Sequence, residues 1–478
     1  MAGGDTARLY HRLSSYGPEP DWPAKPAEHP LVLQDFVGND IATWPPQVKS
    51  YSDGLPVVEL PREWAAPEAP ATAVLAGQAT AADPLTPASL ARMLFLSAGV
   101  VRTGSRSDGR TALFRAAGSA GGRFPMELYV SAQGVDGLAD GVHWYDPVGH
   151  ALRQVGPPAG GEATTLVVTG IPWRTGWRYS ERGFRHIYWD SGTMLAQTLA
   201  LWPGRLFTTF PDAQVTRLVG ADGVQEFPVA LVALEASVPA IEPAGEAVTG
   251  TIDEHPVEFP LVTLAQRAGD GDVLGAPWPD APALAVSAPD SRDLDAVILQ
   301  RGSTRLMDAG ATVPRAGFEF ALAAALRGID VPHYIAVHGV EDTEPGLYRW
   351  PDIDTPLRRG NLRHELLVTC WDQDLGRDAA YVVMSAIDLG GLDDRDYRAA
   401  QLVSGIVEGR LHLAAYAQGI GASGMTFLDT EIEPLLGEPL AGLLFTCVGV
   451  PTYRNTAGGR PGKPVSVLTP TAGETPTT

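Results

Sequence analysis

The run Arg301-Gly302-Ser303-Thr304-Arg305 sets two guanidinium groups at either side of a hydroxyl. Guanidinium makes planar, two-pronged contacts with phosphate oxygens, and a hydroxyl adds a further donor. An apolar run over residues 318–326 follows. A helix opening next would add unpaired amide donors and a partial positive charge. Alone, such a run also reads as a solvated surface. Four other stretches would have to meet it. Gly118-Ser119-Ala120-Gly121-Gly122 precedes Pro125 and a strand candidate at 127–132. Small residues there let a flat ligand lie against the backbone, or simply form a glycine loop. Residues 177–186 mix aromatics with Arg178, Tyr179, Arg182, Arg185 and His186. Gly419-Ile420-Gly421-Ala422 ends a helical pattern, where glycine is also an ordinary cap. Gly449-Val450-Pro451 then leads to Arg454, a cation past a strand end or a surface charge.

The totals bound what can position these groups. A chain of 478 residues holds two or more domains, and 45% hydrophobic content is enough for their cores. A net charge of −21 argues against general nucleic-acid or anionic-membrane binding, and it also serves solubility. Cys370 and Cys447 form neither a disulfide framework nor a metal site and read as small buried hydrophobes. Met1-Ala2-Gly3-Gly4-Asp5 lacks a signal pattern, and no apolar run approaches the roughly 18 residues of a bilayer span. The expectation is a soluble cytoplasmic protein with no membrane or nucleic-acid partner.

In chain order, residues 1–70 read as an irregular, proline- and aromatic-rich lead-in draped over a domain, with one short strand within 51–60. Helices are expected over 87–97 and 194–202, and strands over 127–132, 141–146, 165–171 and 229–234. Residues 241–292 read as a connection with one strand near 257–264, and residues 456–478 as a disordered tail. Val403, Ile406, Val407, Leu411 and Ala414 line one face of a further helix.

The second half repeats the first in outline. Ala73-Val74-Leu75 parallels Ala296-Val297-Ile298-Leu299, and Tyr129 before Gly141 parallels Tyr334 before Gly346. The strand over 229–236 parallels that over 443–450. The spacing predicts an α+β chain of two similar domains, 71–240 and 293–455, packed as a pseudo-dimer. The halves differ where chemistry is concerned. Gly77-Gln78-Ala79-Thr80 stands where the second half has its arginines, and the second half lacks the Ser119 to Gly122 loop. One complete site can then form, each half supplying part.

Together these residues resemble the nitroreductase-like flavoproteins, and within them the SagB/ThcOx type of azoline dehydrogenase in a tandem form. The matching elements are Arg301-x-Ser303-x-Arg305, the Ser119 to Gly122 loop, Trp177-Arg178-Tyr179 with Arg182 to His186, Gly419 to Ala422, and Gly449-x-Pro451. The resemblance implies two nitroreductase-like domains, each a mixed or antiparallel sheet flanked by helices, with FMN at their interface. It implies that Arg301, Ser303 and Arg305 hold the phosphate and ribityl chain. Ser119, Ala120, Gly121 and Gly122 would contact the flavin, with Gly419, Gly421 and Ala422 near its ring and Arg454 a further phosphate candidate.

Where such enzymes carry a Lys-Tyr pair, this chain has Arg178-Tyr179. Guanidinium stays protonated, so the resemblance implies Tyr179 as the base and Arg178 as its electrostatic support. The leading expectation is an FMN-dependent oxidase or dehydrogenase that turns peptide thiazolines or oxazolines into azoles. A cyclodehydratase partner is implied by resemblance alone. The alternatives are an NAD(P)H-dependent nitroreductase or quinone reductase, and a flavin-binding scaffold without turnover.

Overall fold

The computed structural model describes residues 3–18, 28–65, 67–80, 84–106, 108–235, 237–286 and 289–467. Among them the strands form two large antiparallel sheets, each flanked by helices, so the chain is α+β. The first sheet runs, edge to edge, Val57–Glu59, Ala151–Gly156, Gly141–Asp146, Met126–Ala132, Thr165–Gly170, Phe227–Ala233 and Arg205–Phe207. The second runs Arg358–Arg359, Gly346–Arg349, His333–Val337, Tyr381–Ile387, Ala441–Gly449 and Gly421–Met425. From the second strand of the first sheet onward, the two orders match strand for strand in sequence rank. Helices correspond too: Ala71–Leu75 with Leu294–Gln300, Pro87–Ala98 with Arg315–Leu326, and Gly183–Leu201 with Asp394–Ala417. The duplication expected from the sequence is the architecture.

The last of these helix pairs joins the halves. Gly183–Leu201 is buried over almost its whole surface, as an element enclosed by a core must be. It crosses Asp394–Ala417 at glycines. A Cβ at Gly192 would lie 2.1 Å from the Leu402 carbonyl oxygen, and one at Gly405 would lie 2.2 Å from that of Trp189. Only hydrogen at these positions lets the backbones approach so closely. One continuous apolar core runs through the crossing, from Met194 and Leu195 to Leu402, Ile406 and Leu413.

Several expectations are corrected. The lead-in is less irregular than its composition suggests. Asp5–Leu13 is a helix, while the short strand expected within 51–60 is Val57–Glu59, which pairs with Ala151–Gly156 as the edge of the first sheet. The expected strand near 257–264 is instead part of the helix Pro260–Ala268, which proline opens at its first turn. The helix expected over 194–202 begins at Gly183. In the tail, Val465–Val467 pairs in parallel with Val100–Ser105 of the first half; residues 468–478 lie outside the described residues. Cys370 and Cys447 are free and buried.

Candidate active site

The site is a cavity of about 820 Å³ walled by both halves and by the lead-in. The first half contributes residues 118–123, Arg178, Tyr179, His186, Trp189 and Asp190. The second contributes Ser303, Arg305, Glu408 and residues 423–426. Trp44 and Gln47 come from the lead-in, whose Gln47 side chain bonds the Gly122 and Leu113 carbonyls at 3.0 and 3.1 Å.

The glycine loop runs along one wall. Ser119 and Ala120 fix it to the first central helix: Ser119 Oγ donates to Asp190 Oδ2 at 2.5 Å and the Ala120 amide to Oδ1 at 3.0 Å. Gly121 has φ +58, and a Cβ there would meet Arg178 Cδ at 2.7 Å and Tyr179 Oη at 2.9 Å. Glycine is required by both the backbone and the neighbours.

The phosphate-binding candidates form the other end. Arg301 is 3% exposed and caps the C-terminus of Leu294–Gln300. Its Nη2 donates to the Ala116 carbonyl at 2.6 Å, across the interface between halves. Its Nε and Nη1 have no partner, and Nη1 would lie 3.3 Å from a Cβ at Gly118. Burial, then the neighbouring Arg102, pushes this guanidinium down to about 10. Ser303 and Arg305 are exposed and line the cavity. Arg305 makes no side-chain hydrogen bond or ion pair among the described residues. No helix opens directly after this run among the described residues: the next, Arg315–Leu326, begins ten residues further on.

Arg178 and Tyr179 end the helix Pro172–Tyr179. Arg178 donates through Nη1 to Asn39 Oδ1 at 3.1 Å, and its Nε is buried without a partner. Tyr179 keeps some surface toward the cavity but is otherwise enclosed. That enclosure raises its phenol above the ordinary value, against the opposing pull of Arg178. His186 stacks on Tyr179, centroids 3.9 Å apart at 25°. Both its ring nitrogens lack hydrogen-bond partners among the described residues, and burial holds it neutral, so it contributes by stacking. Asp190, 4% exposed, is pushed up to about 8 by burial, which Ser119 and Ala120 only partly offset.

The structure thus brings Ser119, Ala120, Gly121, Gly122, Arg178, Tyr179, Ser303 and Arg305 to one cavity, with Arg301 directly behind Gly118. Four candidates lie elsewhere. Gly419 is exposed at φ +77 just past the second central helix, the ordinary capping role. Gly421 and Ala422 brace the arginine run instead of facing the cavity. A Cβ at Gly421 would strike Thr304 Oγ1 at 2.1 Å, and the Thr304 amide donates to the Ala422 carbonyl at 2.9 Å. Arg454 is exposed and outside the cavity walls. Arg182 and Arg185 tie the halves together through Asp429, at 2.5 and 2.7 Å. Sequence reading missed Asp190, Trp44, Arg106 and Arg123. The one carboxylate of the helix Gly183–Leu201 was the available signal for the first. Arg123 directly follows the glycine loop. Among the described residues no His/Cys/Asp/Glu group could hold a metal ion, and no helix is long and apolar enough to cross a membrane.

No protein-family model matches the chain. It is 30% identical over 125 residues to the putative nitroreductase MJ1384 of Methanocaldococcus jannaschii, a match spanning 23% of this chain and 59% of that relative. Its fold is that of the crystal structure of a putative nitroreductase from Anabaena variabilis. The two superpose with a TM-score of 0.70 at 22% identity, over 93% of this chain and 99% of the other.

Proposed function

We propose that the protein is an FMN-dependent oxidoreductase carrying one cofactor per chain between its two halves. The observation that carries this reading is Arg301. A buried guanidinium from the second half, with two nitrogens lacking hydrogen-bond partners among the described residues, stands behind Gly118 of the first half's glycine loop, and Gly118 lines the cavity. Leaving such a group without a counter-charge is costly, and a phosphate would supply one. FMN fits the residues present. Arg301, Ser303 and Arg305 would hold its phosphate end, and residues 119–122 and 423–426 offer walls of mostly small side chains to a flat ring. Bound there, FMN would supply reversible hydride chemistry.

The protein's own groups bias the direction. Burial keeps the Tyr179 phenol protonated at neutral pH, and Asp190 holds its proton to about pH 8. These groups give protons to a substrate more readily than they take them. That supports a reductase acting on a nitro compound or quinone, with NAD(P)H as reductant. The second reading is the azoline dehydrogenase, acting on a peptide or small heterocycle with a cyclodehydratase partner. What favours it is Arg178, a fixed cation beside Tyr179 that lowers the cost of a phenolate.

The test counts flavin by absorbance after FMN reconstitution, in wild type and in Arg301→Ala/Arg305→Ala. About one flavin per chain, lost in the variant, is the expected result for a single composite site. NADPH added without oxygen then bleaches the flavin, and a nitroaromatic restores it. Protein that takes up no flavin under any condition overturns the reading. Flavin that binds but is reduced by neither NADPH nor an azoline peptide points to the scaffold instead.

A further inference from the structure

The cavity has a second cationic wall, apart from the Arg301 end. Arg123 is 5% exposed. Its Nε donates to the Gly121 carbonyl at 2.9 Å, and its other nitrogens make no hydrogen bond or ion pair among the described residues. Its guanidinium carbon lies 3.6 Å from the ring centre of Trp44, and that of Arg106 lies 3.1 Å from it. Two guanidinium groups that close cannot share one face, so they sandwich the indole. Trp177 adds a second ring 5.0 Å from Arg123. Arg178, with its unpartnered Nε, completes the wall; all but Trp177 line the cavity.

Charge is unbalanced here. Asp108 is 3.0 Å from Arg106, but it is shared with Arg110 at 2.9 Å. No carboxylate pairs with Arg123 or Arg178 among the described residues. Burial, together with Arg178 and Arg106, pushes Arg123 down to about 9. Three guanidinium groups gathered on one wall repel each other unless an anion joins them. In a chain of net charge −21 this concentration is local and directed. It is also separate from the phosphate end. Gly118 abuts Arg301, whereas Gly121, three residues along the loop, abuts Arg178.

We infer that Arg106, Arg123 and Arg178, with Trp44, form a substrate clamp for the carboxylate or phosphate of a planar compound. This deepens the oxidoreductase reading and rests on it for the identity of the site. It also gives the lead-in a purpose: Trp44 and Asn39 both come from it.

Titration calorimetry tests the clamp with 4-nitrobenzoate, 4-nitrophenyl phosphate and the neutral 4-nitrobenzyl alcohol, on FMN-loaded and FMN-free protein. With FMN bound, the Arg301 end is filled and the clamp is read alone. The expected result is at least one anion bound about tenfold or more tighter than the alcohol. Added salt should weaken that preference. Arg123→Gln and Arg106→Gln should each reduce it about tenfold, with flavin content unchanged. Melting curves identify a variant that fails to fold, in which case the other decides. The preferred anion separates a carboxylate substrate from a phosphate one. Equal binding of alcohol and anions, no anion binding, or a preference that survives in both folded variants overturns the proposal. Protein that takes no flavin yet shows an Arg123-dependent anion preference keeps the clamp and sinks the flavin reading. Flavin-loaded protein without that preference does the reverse.

Discussion

Ser119 Oγ donates a 2.5 Å hydrogen bond to Asp190 Oδ2, joining the glycine loop to the first central helix. Burial still lifts that carboxyl to about 8, far above its value in an unfolded chain. Between about pH 4 and 8 the folded protein therefore holds a proton that the unfolded chain has lost. The resulting stabilisation is complete at low pH and is lost as pH rises toward 8. Asp190→Asn removes it. FMN-free wild type should lose melting temperature from pH 6 to 9 more steeply than the variant. At pH 9 the variant should melt about 1–3 °C higher.

Asp429 has the opposite sign. Burial would raise it, but Arg182 and Arg185 outweigh burial and hold the carboxyl well below its usual range. Its contribution is present above about pH 4 and is lost as pH falls toward the folded value. Asp429→Asn leaves two buried guanidinium groups without their carboxylate. Denaturation at pH 7 should show a loss of about 3–5 kcal/mol, shrinking in acid.

Arg301 is retained at a cost to the empty protein. Arg301→Met keeps most of the volume and removes a buried charge with two unpartnered nitrogens, while the Ala116 carbonyl loses its donor. FMN-free Arg301→Met should melt no lower than wild type, because the desolvated charge outweighs one hydrogen bond. Its FMN affinity should fall about 100-fold or more, measured by fluorescence titration.

Tyr179→Phe separates proton delivery from binding. In reductive turnover kcat should drop about 100-fold with flavin content unchanged, because the phenol is a proton donor set against the loop. Because the phenol is raised, wild-type kcat should show no limb from Tyr179 across neutral pH. Any alkaline limb near pH 8 belongs to Asp190 and should vanish in Asp190→Asn.

The crossing of the two central helices tolerates no side chain at Gly405. Alanine in an exposed helix position normally gains about 1 kcal/mol over glycine. Here its Cβ would lie 2.2 Å from the Trp189 carbonyl oxygen. Gly405→Ala should instead destabilise by about 1–3 kcal/mol in urea denaturation.

Much of this was legible in the residues. Short apolar runs marked the sheet strands 126–132, 141–146, 165–170 and 227–233 within a residue or two, because strands buried along nearly their whole length are decided by local apolar content. The repeated order of small motifs pointed to the duplication that the matching strand orders display. Positions set by distant packing were not legible. The resemblance set Gly421 near the flavin ring, yet it makes room for Thr304, far away in sequence. The strand near 257–264 was misread because an apolar run of that length suits either element, and the proline that opens the helix weighed too little.

By itself, the sequence determined the α+β class, the two-part construction and the motifs that had to meet, since these follow from period, composition and order. Tertiary structure alone decided which groups face the cavity and in what charge state. Asp190 becomes an acid of about 8, Arg301 a buried cation lacking partners, and Trp44 the centre of an arginine sandwich. Each of these depends on desolvation and contacts between segments remote in the chain, which no local pattern of residues encodes.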